Sequence, residues 1–563
     1  MDLSTTIQSS SFVVDLINGD RLSPEILSAL PISSLGVRVL LKKNKAPHDF
    51  QLDRSCGVLL HISSLPSSWG VGDLGPEAYD FVDFLSYSGQ TLWQVLPLNP
   101  AGVEDCPYQS KSVFAGNTVF ISVDHMIREG LLYLEETRRK FEKVRSLGLR
   151  KSLLFLAYKE LKRELLYEAY HKFLEQLEFS PLSSAVSKQS TYLTQENFLK
   201  FKTHNNEWLN DYILFKALKA HFGNVPWYDW KPEIASRKTE TLSEYRVLLR
   251  EEIGLIEFLQ YTFFYEWDKL KEYVNAKDIQ LIGDLPHFVA ADSCDVWVNP
   301  RLFDLDEQGR PAKTAGVPPD YFSKTGQLWG NPIYDWDALG VTHYDWWKKR
   351  LQMGLQVFDY IRLDHFRGFE AYWEVDAREE TAEKGRWIKG LGKRFFESML
   401  ETLGKLPFII EDLGFITTEV NILKQLFGFP GIKVLQFTPL NEIMDQETNF
   451  VYYTGTHDNN TLLGWYEKNY LAEGENRVNN SMNQRIMNQQ ACRKMIEEVY
   501  LSQAAWVILP MQDILGLGEE ARMNVPGTIH GNWQWQLDKI PETDEVKVWL
   551  RTQAEKTKRS EKS

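Results

Sequence analysis

The sequence predicts an α/β fold, a (β/α)8 barrel with large helical insertions between the barrel strands. Three observations support this fold class. The chain carries eight short apolar runs, long helical stretches separate them, and charged side chains cluster near the ends of the runs. Continuous Val, Ile and Leu runs are typical of parallel strands that helices cover. Eight strand–helix units are the number that closes such a barrel.

The eight predicted strands follow one another from residue 57 to residue 513. They are GVLLHI (57–62), TLWQVLPL (91–98), IQLIGDLPHFV (279–289), VFDYIRLDHF (357–366), PFIIEDLG (407–414), IKVLQF (432–437), VYYTGTHD (451–458) and AAWVILPMQD (504–513).

Uneven spacing between these runs predicts two insertions. Residues from about 120 to 270 place apolar side chains three or four apart with charges between them, which indicates a helical insertion. Residues from about 295 to 340 are rich in Gly, Pro, Trp and Asp. Because Gly and Pro disfavour regular helices and strands, we expect a lid loop without regular structure there. Long ordered loops are usually functional.

The two ends of the chain lie outside the predicted barrel, which spans residues 54–540. Residues 1–53 form an N-terminal appendage and linker, with one predicted strand where Val37, Val39 and Leu41 alternate. Residues 541–563 are predicted to be a charged C-terminal tail, and its last part, AEKTKRSEKS (554–563), is predicted to be disordered.

Composition excludes several classes of protein. The net charge of −14 disfavours nucleic acid as a partner. A membrane span needs about 18 continuous apolar residues, which the sequence lacks, and the N-terminus has no basic region of a secretory signal. The four cysteines form no CxxC pair, which argues against disulfides and zinc. We therefore predict a cytoplasmic protein, or a plastid one if the host is photosynthetic.

Charged groups near the ends of the predicted strands mark the candidate site, since barrel active sites lie at the C-terminal ends of the strands. Side-chain alternation places Arg362 and Asp364 on one face and the neighbouring apolar residues on the other. The full set is Asp284, Arg362, Asp364, Glu411 or Asp412, His457 and Asp458. Alternation does not decide between Glu411 and Asp412.

Two chemistries use several carboxylates in one barrel mouth. Glycosyl transfer or hydrolysis needs a nucleophile and an acid/base about 5–5.5 Å apart when the sugar configuration is retained. Metal-dependent catalysis instead uses such groups to bind Mg²⁺. Arg362, two residues before Asp364, favours the first, because a metal site rarely tolerates a fixed cation so close. The 18 Trp and 24 Tyr residues also suit the apolar faces of sugars.

Nine motifs resemble those of the 4-α-glucanotransferases, also called amylomaltases or disproportionating enzymes, over residues from about 55 to 537. In order they are GVLLHISSLPSSWGVGDLG, WQVLPLNP, PYQSKSVFAGN, IGDLPHFVAADSCDVW, GVPPDYFSKTGQLWGNPIYDW, IRLDHFRGF, IIEDLG, YTGTHDNNT and RMNVPGTIHGNWQWQ. The chain departs from the family pattern at Cys106, Thr118 and Asn460, which concerns loop details and acceptor preference rather than the reaction.

The resemblance implies a role for each matching residue. Asp364 would be the nucleophile, Glu411 the general acid/base and Asp458 the group that stabilises the transition state. The implied substrate-binding residues are Tyr108, Asp284, Asp320, Gln327, Trp329, Asn331, Arg362 and His457.

The implied reaction is transfer of an α-1,4-glucan segment to the 4-hydroxyl of glucose or another glucan. It proceeds with retention and requires no cofactor and no metal; the implied partners are glucans, maltooligosaccharides and glucose. The alternatives that the residues leave open are an α-amylase-like hydrolase, a metal-dependent barrel enzyme and a glucan-binding protein without catalysis.

Overall fold

The structure is a computed structural model that describes residues 50–179, 194–319, 323–443, 447–470 and 482–560. Twelve strands lie in these residues. In chain order they are β1 (Ser55–Leu59), β2 (Leu92–Gln94), β3 (Gln280–Leu285), β4 (Lys313–Val317), β5 (Gln327–Pro332), β6 (Tyr360–Leu363), β7 (Ala371–Asp376), β8 (Gly385–Lys389), β9 (Phe408–Ile410), β10 (Gly431–Val434), β11 (Phe450–Tyr453) and β12 (Trp506–Pro510).

Eight of these strands form a closed barrel. Its order is β1, β2, β3, β6, β9, β10, β11 and β12, and β12 pairs back with β1. Each neighbouring pair is parallel. Each of the eight predicted runs overlaps one barrel strand, so the predicted (β/α)8 barrel is confirmed.

Helices fill the long connection between β2 and β3, where the helical insertion was predicted. They are Val123–Arg128, Leu134–Arg145, Lys151–Phe179, Gln195–His204, Asn206–His221, Pro232–Ala235, Thr239–Leu248 and Arg250–Ala276.

The remaining helices alternate with the barrel strands or follow them. They are Pro76–Tyr87, Cys294–Val298, Trp336–Val341, Asp345–Val357, Arg367–Glu370, Lys393–Leu403, Thr418–Phe427, Leu462–Tyr470, Met482–Leu501, Met511–Ile514 and Asp544–Lys556. No helix within the described ranges has both the length and the apolar character to cross a membrane.

Side-chain alternation in β6 follows the prediction. Ile361 and Leu363 are each 1 % exposed and belong to an apolar core shared with the surrounding helices. Arg362 lies on the opposite face and is paired in register with Asp284 of β3 and Ile409 of β9. Arg362 therefore points to the inside of the barrel, whereas Ile361 and Leu363 point to the surrounding helices.

The expectation that residues 295–340 lack regular structure is wrong. They contain β4 and β5, which join β7 and β8 in a four-stranded antiparallel sheet beside the barrel. The glycines serve this hairpin rather than a loop. A Cβ atom on Gly316 would lie 2.4 Å from the Gln327 carbonyl oxygen, and Gly326 has a φ of 70°, which favours glycine.

The expectation of disorder in residues 554–563 is wrong for the described residues 554–560, because Ala554 lies in a helix and Arg559 is buried. Helix Asp544–Lys556 packs against helices Pro76–Tyr87 and Met482–Leu501. Its buried face contains Leu550 and Ala554, four residues apart, which lie on the same side of a helix. The charged residues occupy the other side. The strand predicted at Val37, Val39 and Leu41 lies outside the described residues.

Candidate active site

Four carboxylates from four strands meet at the C-terminal end of the barrel. Asp284 lies in β3, Asp364 directly follows β6, and Glu411 directly follows β9. Asp458 lies on the loop after β11. Parallel strands in a closed barrel direct these ends towards one opening. The structure thus brings together residues that lie far apart in the chain.

Arg362 joins two of these carboxylates. Its Nη1 donates to Asp284 Oδ1 and Oδ2, both at 2.7 Å, and to Asp364 Oδ1 at 2.9 Å. Burial alone would lower the pKa of Arg362, but the two carboxylates hold this pKa well above its ordinary value. The guanidinium stays charged and fixes the side chain of Asp364 beside it.

Glu411 is held by two backbone amides. Its Oε2 accepts a hydrogen bond from His365 N at 2.9 Å and its Oε1 accepts one from Leu413 N at 2.9 Å. Burial, with a smaller contribution from Asp364, raises the pKa of Glu411 to about 7, against the opposing charge of Arg362. Near neutral pH the carboxyl group can therefore both donate and accept a proton.

The structure distinguishes Glu411 from Asp412, which alternation could not. Asp412 Oδ1 accepts a hydrogen bond from Ile432 N at 2.8 Å, and its Oδ2 pairs with Lys424 Nζ at 2.6 Å. Asp412 is engaged in these structural contacts with the neighbouring strand and helix. Glu411 is the acid that adjoins Asp364.

The distance between the Asp364 and Glu411 carboxyl groups is bounded by their shared neighbour. Glu411 Oε2 lies 2.9 Å from the amide nitrogen of His365, the residue after Asp364. Covalent geometry then keeps the two carboxyl groups within about 8 Å of each other. This range includes the separation that a double displacement through a covalent sugar requires.

Asp458, the fourth carboxylate, and the aromatic residue Tyr108 complete the site. Tyr108 donates its hydroxyl hydrogen to Asp284 Oδ2 at 2.8 Å, and its ring stacks on His457 with 5.0 Å between centroids. His457 Nε2 lies 3.3 Å from Asp458 Oδ2. The surrounding cleft partly desolvates Asp458 and opposes its ionisation although the side chain is half exposed, yet His457 and Asn524 hold the pKa of Asp458 well below its ordinary value. Asp458 is therefore an anion.

The predicted lid residues lie on β5, except for Asp320, which is outside the described residues. Trp329 meets His365 edge to face, with 4.9 Å between ring centroids, and its Nε1 donates to Gln327 Oε1 at 3.3 Å. Asn331 is buried, and its Nδ2 donates to the Val289 carbonyl oxygen at 2.7 Å. Trp329 therefore borders the site at His365, Gln327 contacts Trp329, and Asn331 anchors the strand that carries them.

Sequence reasoning missed four residues that contact the site. Gln109 donates from Nε2 to Trp329 O and to Asn331 Oδ1, both at 3.0 Å. Arg522 and Asn524 bind Asp458, and the Trp533 ring lies 5.9 Å from His457. Gln109 lies in the motif PYQ, and the other three residues lie in the motif RMNVPGTIHGNWQWQ. The sequence shows both motifs, but their spacing does not show which side chains touch.

A closed barrel whose mouth holds several carboxyl groups, one of them with a pKa raised to about 7, is typical of enzymes that act on glycosidic bonds. Comparison with known proteins narrows this class. The profile of the family described as 4-alpha-glucanotransferase matches residues 60–541. The chain belongs to this family, and it catalyses 4-α-glucan transfer.

Individual relatives agree over nearly their whole length. The 4-alpha-glucanotransferase of Aquifex aeolicus is 42 % identical over 491 residues, covering 86 % of this chain and 95 % of the relative. That of Thermus thermophilus is 41 % identical, covering 90 % and 100 %. The amylomaltase of Streptococcus agalactiae, solved with acarbose, superposes with a TM-score of 0.78 at 36 % identity, covering 90 % and 99 %. The predicted resemblance and enzyme class are confirmed.

Proposed function

We propose that Asp364, Glu411 and Asp458 carry out this transfer by a retaining double displacement. The observation that supports it is the different state of each acid. Arg362 holds Asp364 at 2.9 Å, burial raises the pKa of Glu411 to about 7, and the pKa of Asp458 lies well below its ordinary value. A nucleophile, an acid/base and a permanent anion are what the reaction needs.

In the first step, Glu411 donates its proton to the oxygen of the scissile glycosidic bond. Asp364 attacks the anomeric carbon, the bond to the leaving glucan breaks, and a covalent β-glucosyl ester forms. Asp458 and His457 would bind hydroxyls of the same sugar, and Tyr108 would stack beneath its ring. The negative charge of Asp458 stabilises the positive charge that develops on the sugar.

In the second step, Glu411 acts as a base. It removes the proton from the 4-hydroxyl of an acceptor sugar, which attacks the ester and regains the α configuration. Transfer requires that an acceptor sugar outcompetes water at this point. The strand β5 with Gln327 and Trp329, together with Asp320, is the element we assign to acceptor binding and water exclusion.

The substrates we propose are α-1,4-glucans and maltooligosaccharides as donors, with glucose or a glucan as acceptor. The solved relative that holds acarbose supports a cleft shaped for such chains. We further propose a reducing compartment, the cytoplasm or a plastid, because all four cysteines are free. Subcellular fractionation of the native host checks this location.

Substitution of the nucleophile tests the proposal. Asp364→Asn should lower kcat by several orders of magnitude and leave glucan binding intact, because the amide cannot form the ester. Asp412→Asn is the matched control: it removes a nearby charge that Lys424 and Ile432 bind. We expect this control to retain the ladder of longer maltodextrins made from maltotriose. An Asp364→Asn variant with full turnover would refute the assignment.

A further inference from the structure

The segment 522–524, which follows the last barrel strand, is hydrogen-bonded to the backbone of His457 and Asp458. Arg522 Nη2 donates to the Asp458 carbonyl oxygen at 2.6 Å, and Asn524 N donates to the His457 carbonyl oxygen at 3.2 Å. Arg522 Nε also donates to the Asn524 carbonyl oxygen at 2.7 Å. These bonds fix the two backbones against each other.

The Asp458 side chain depends on this segment for its orientation. Asp458 lies five residues beyond the end of β11 at Tyr453, so the strand itself does not aim the carboxylate. Its side chain is 47 % exposed. One oxygen faces His457 Nε2 at 3.3 Å, and the other accepts a hydrogen bond from Asn524 Nδ2 at 2.6 Å. A short bond to a charged acceptor is among the strong hydrogen bonds in proteins.

We propose that Asn524 is a positioning residue that holds the Asp458 carboxylate in one orientation and in its ionised form at the reacting sugar. This inference rests on the proposed role of Asp458. The amide of Asn524 donates a hydrogen bond without adding charge, and His457 is the other donor. With both donors present, each carboxylate oxygen of Asp458 has one fixed partner.

Two substitutions test the proposal. Asn524→Ala removes the donor, and kcat for maltotriose disproportionation should fall on the order of tenfold or more, with KM nearly unchanged. Asn524→Asp keeps the shape but places a second carboxylate 2.6 Å from Asp458. Like charges this close raise the pKa of the pair, so the acidic limb of the kcat profile should move to higher pH.

Asn532→Ala is the matched control on the same loop. Its side chain accepts a hydrogen bond from Val525 N at 3.0 Å and donates to the Thr528 carbonyl oxygen at 3.0 Å, without touching Asp458. We expect it to lower the thermal midpoint and to leave the acidic limb in place. A loop that matters only for stability would make all three variants behave in this way, and the inference would be overturned.

The role of Asp458 is measured separately with Asp458→Asn. If this variant is inactive while Asn524→Ala and Asn524→Asp keep the wild-type kcat and pH profile, the inference about Asn524 is wrong and the proposed function stands. If Asp458→Asn is fully active, the proposed function itself fails. Should Asn524→Ala not fold, the isosteric Asn524→Asp carries the test.

Discussion

At the scale of single residues, the neighbouring acids of the site differ in their hydrogen-bond donors. Asp284 and Asp364 share one guanidinium, that of Arg362. Among the described residues, Glu411 accepts hydrogen bonds from two backbone amides and from no side chain, and burial disfavours its charge. Asp364 is therefore held by a charged donor and Glu411 by neutral ones.

The pKa of Glu411 gives a prediction for the pH dependence of the reaction. Its pKa is raised to about 7, so the protonated acid prevails below that value and is lost as the pH rises through it. Because the first step needs the proton, kcat/KM for maltotriose should fall along a basic limb near neutral pH. A profile that stays flat well above neutrality would contradict the assignment of Glu411 as the acid.

The residue scale also shows what sequence reasoning can and cannot decide. Alternation along the run IRLDHF placed Arg362 and Asp364 together, and the structure confirms their contact at 2.9 Å. The choice between Glu411 and Asp412 needed the neighbours Lys424 and Ile432, which lie on other elements. The partners of Asp458 on segment 522–524 were equally out of reach, since they come from a distant loop.

At the scale of elements, β5 connects the four-stranded antiparallel sheet, here called the lid sheet, to the barrel site. Gln109, next to Tyr108, donates two hydrogen bonds to this strand, at the Trp329 carbonyl oxygen and at Asn331 Oδ1. Asn331 in turn donates to the Val289 carbonyl oxygen at 2.7 Å. The loop that carries the stacking tyrosine and the strand that carries Trp329 are thus fastened to each other.

Loss of the two hydrogen bonds between Gln109 and β5 should increase hydrolysis by water relative to transfer to the acceptor sugar. Gln109→Leu removes both hydrogen bonds, and the ratio of hydrolysis to transfer with maltotriose should rise about 3- to 10-fold. Glucose release relative to the maltodextrin ladder measures the ratio. Thr314→Val on β4 is the control, because the buried Thr314 hydroxyl has no hydrogen-bond partner in the described part of the chain. An unchanged ratio in Gln109→Leu would contradict the role of β5.

Barrel strands were more predictable than the lid sheet. Apolar runs such as IQLIGDLPHFV coincide with β3 at Gln280–Leu285 but extend beyond it, because Phe288 and Val289 after the strand are also buried. The lid hairpin was missed because its Gly and Pro residues predict a loop. Its pairing with β7 depends on contacts distant in the chain, which local propensity does not contain.

At the scale of the whole molecule, Arg559 in the C-terminal segment braces the seam where β12 pairs with β1. Arg559 is 1 % exposed, and its guanidinium donates to five carbonyl oxygens near the seam between β1 and β12. These belong to Ser55, Tyr500, Ser502, Ala504 and Ala505, at 2.9–3.2 Å. The end of the chain is therefore bonded to the beginning of the first barrel strand.

Removal of this guanidinium should destabilise the protein. Arg559→Ala removes a buried donor from five carbonyl oxygens, three of which keep a second donor in Arg54 or Ser55. The loss should cost about 3 kcal/mol of unfolding free energy. Arg551→Ala, at an exposed position in helix Asp544–Lys556, should change it by less than about 0.5 kcal/mol. Urea unfolding of both variants measures the difference. Equal midpoints would show that the C-terminus does not hold the barrel.

The C-terminal segment also shows where composition misleads. Its many charges predicted disorder, but Leu550 and Ala554 form a buried stripe that composition alone does not reveal. The barrel as a whole was predictable, because eight buried parallel strands leave eight apolar runs in the sequence. The contacts of Arg559 at the barrel seam were not predictable, since they join residues about 500 positions apart in the chain.

The most direct test of the account is to trap the sugar on the enzyme. A fluorinated glucosyl fluoride needs no protonation to lose fluoride, so Glu411→Gln should form the ester but release it slowly. Mass spectrometry of proteolytic fragments then locates the attached sugar. We predict a single glucosyl group on Asp364. Attachment to another residue, or an active enzyme in which no ester forms, would contradict the double displacement.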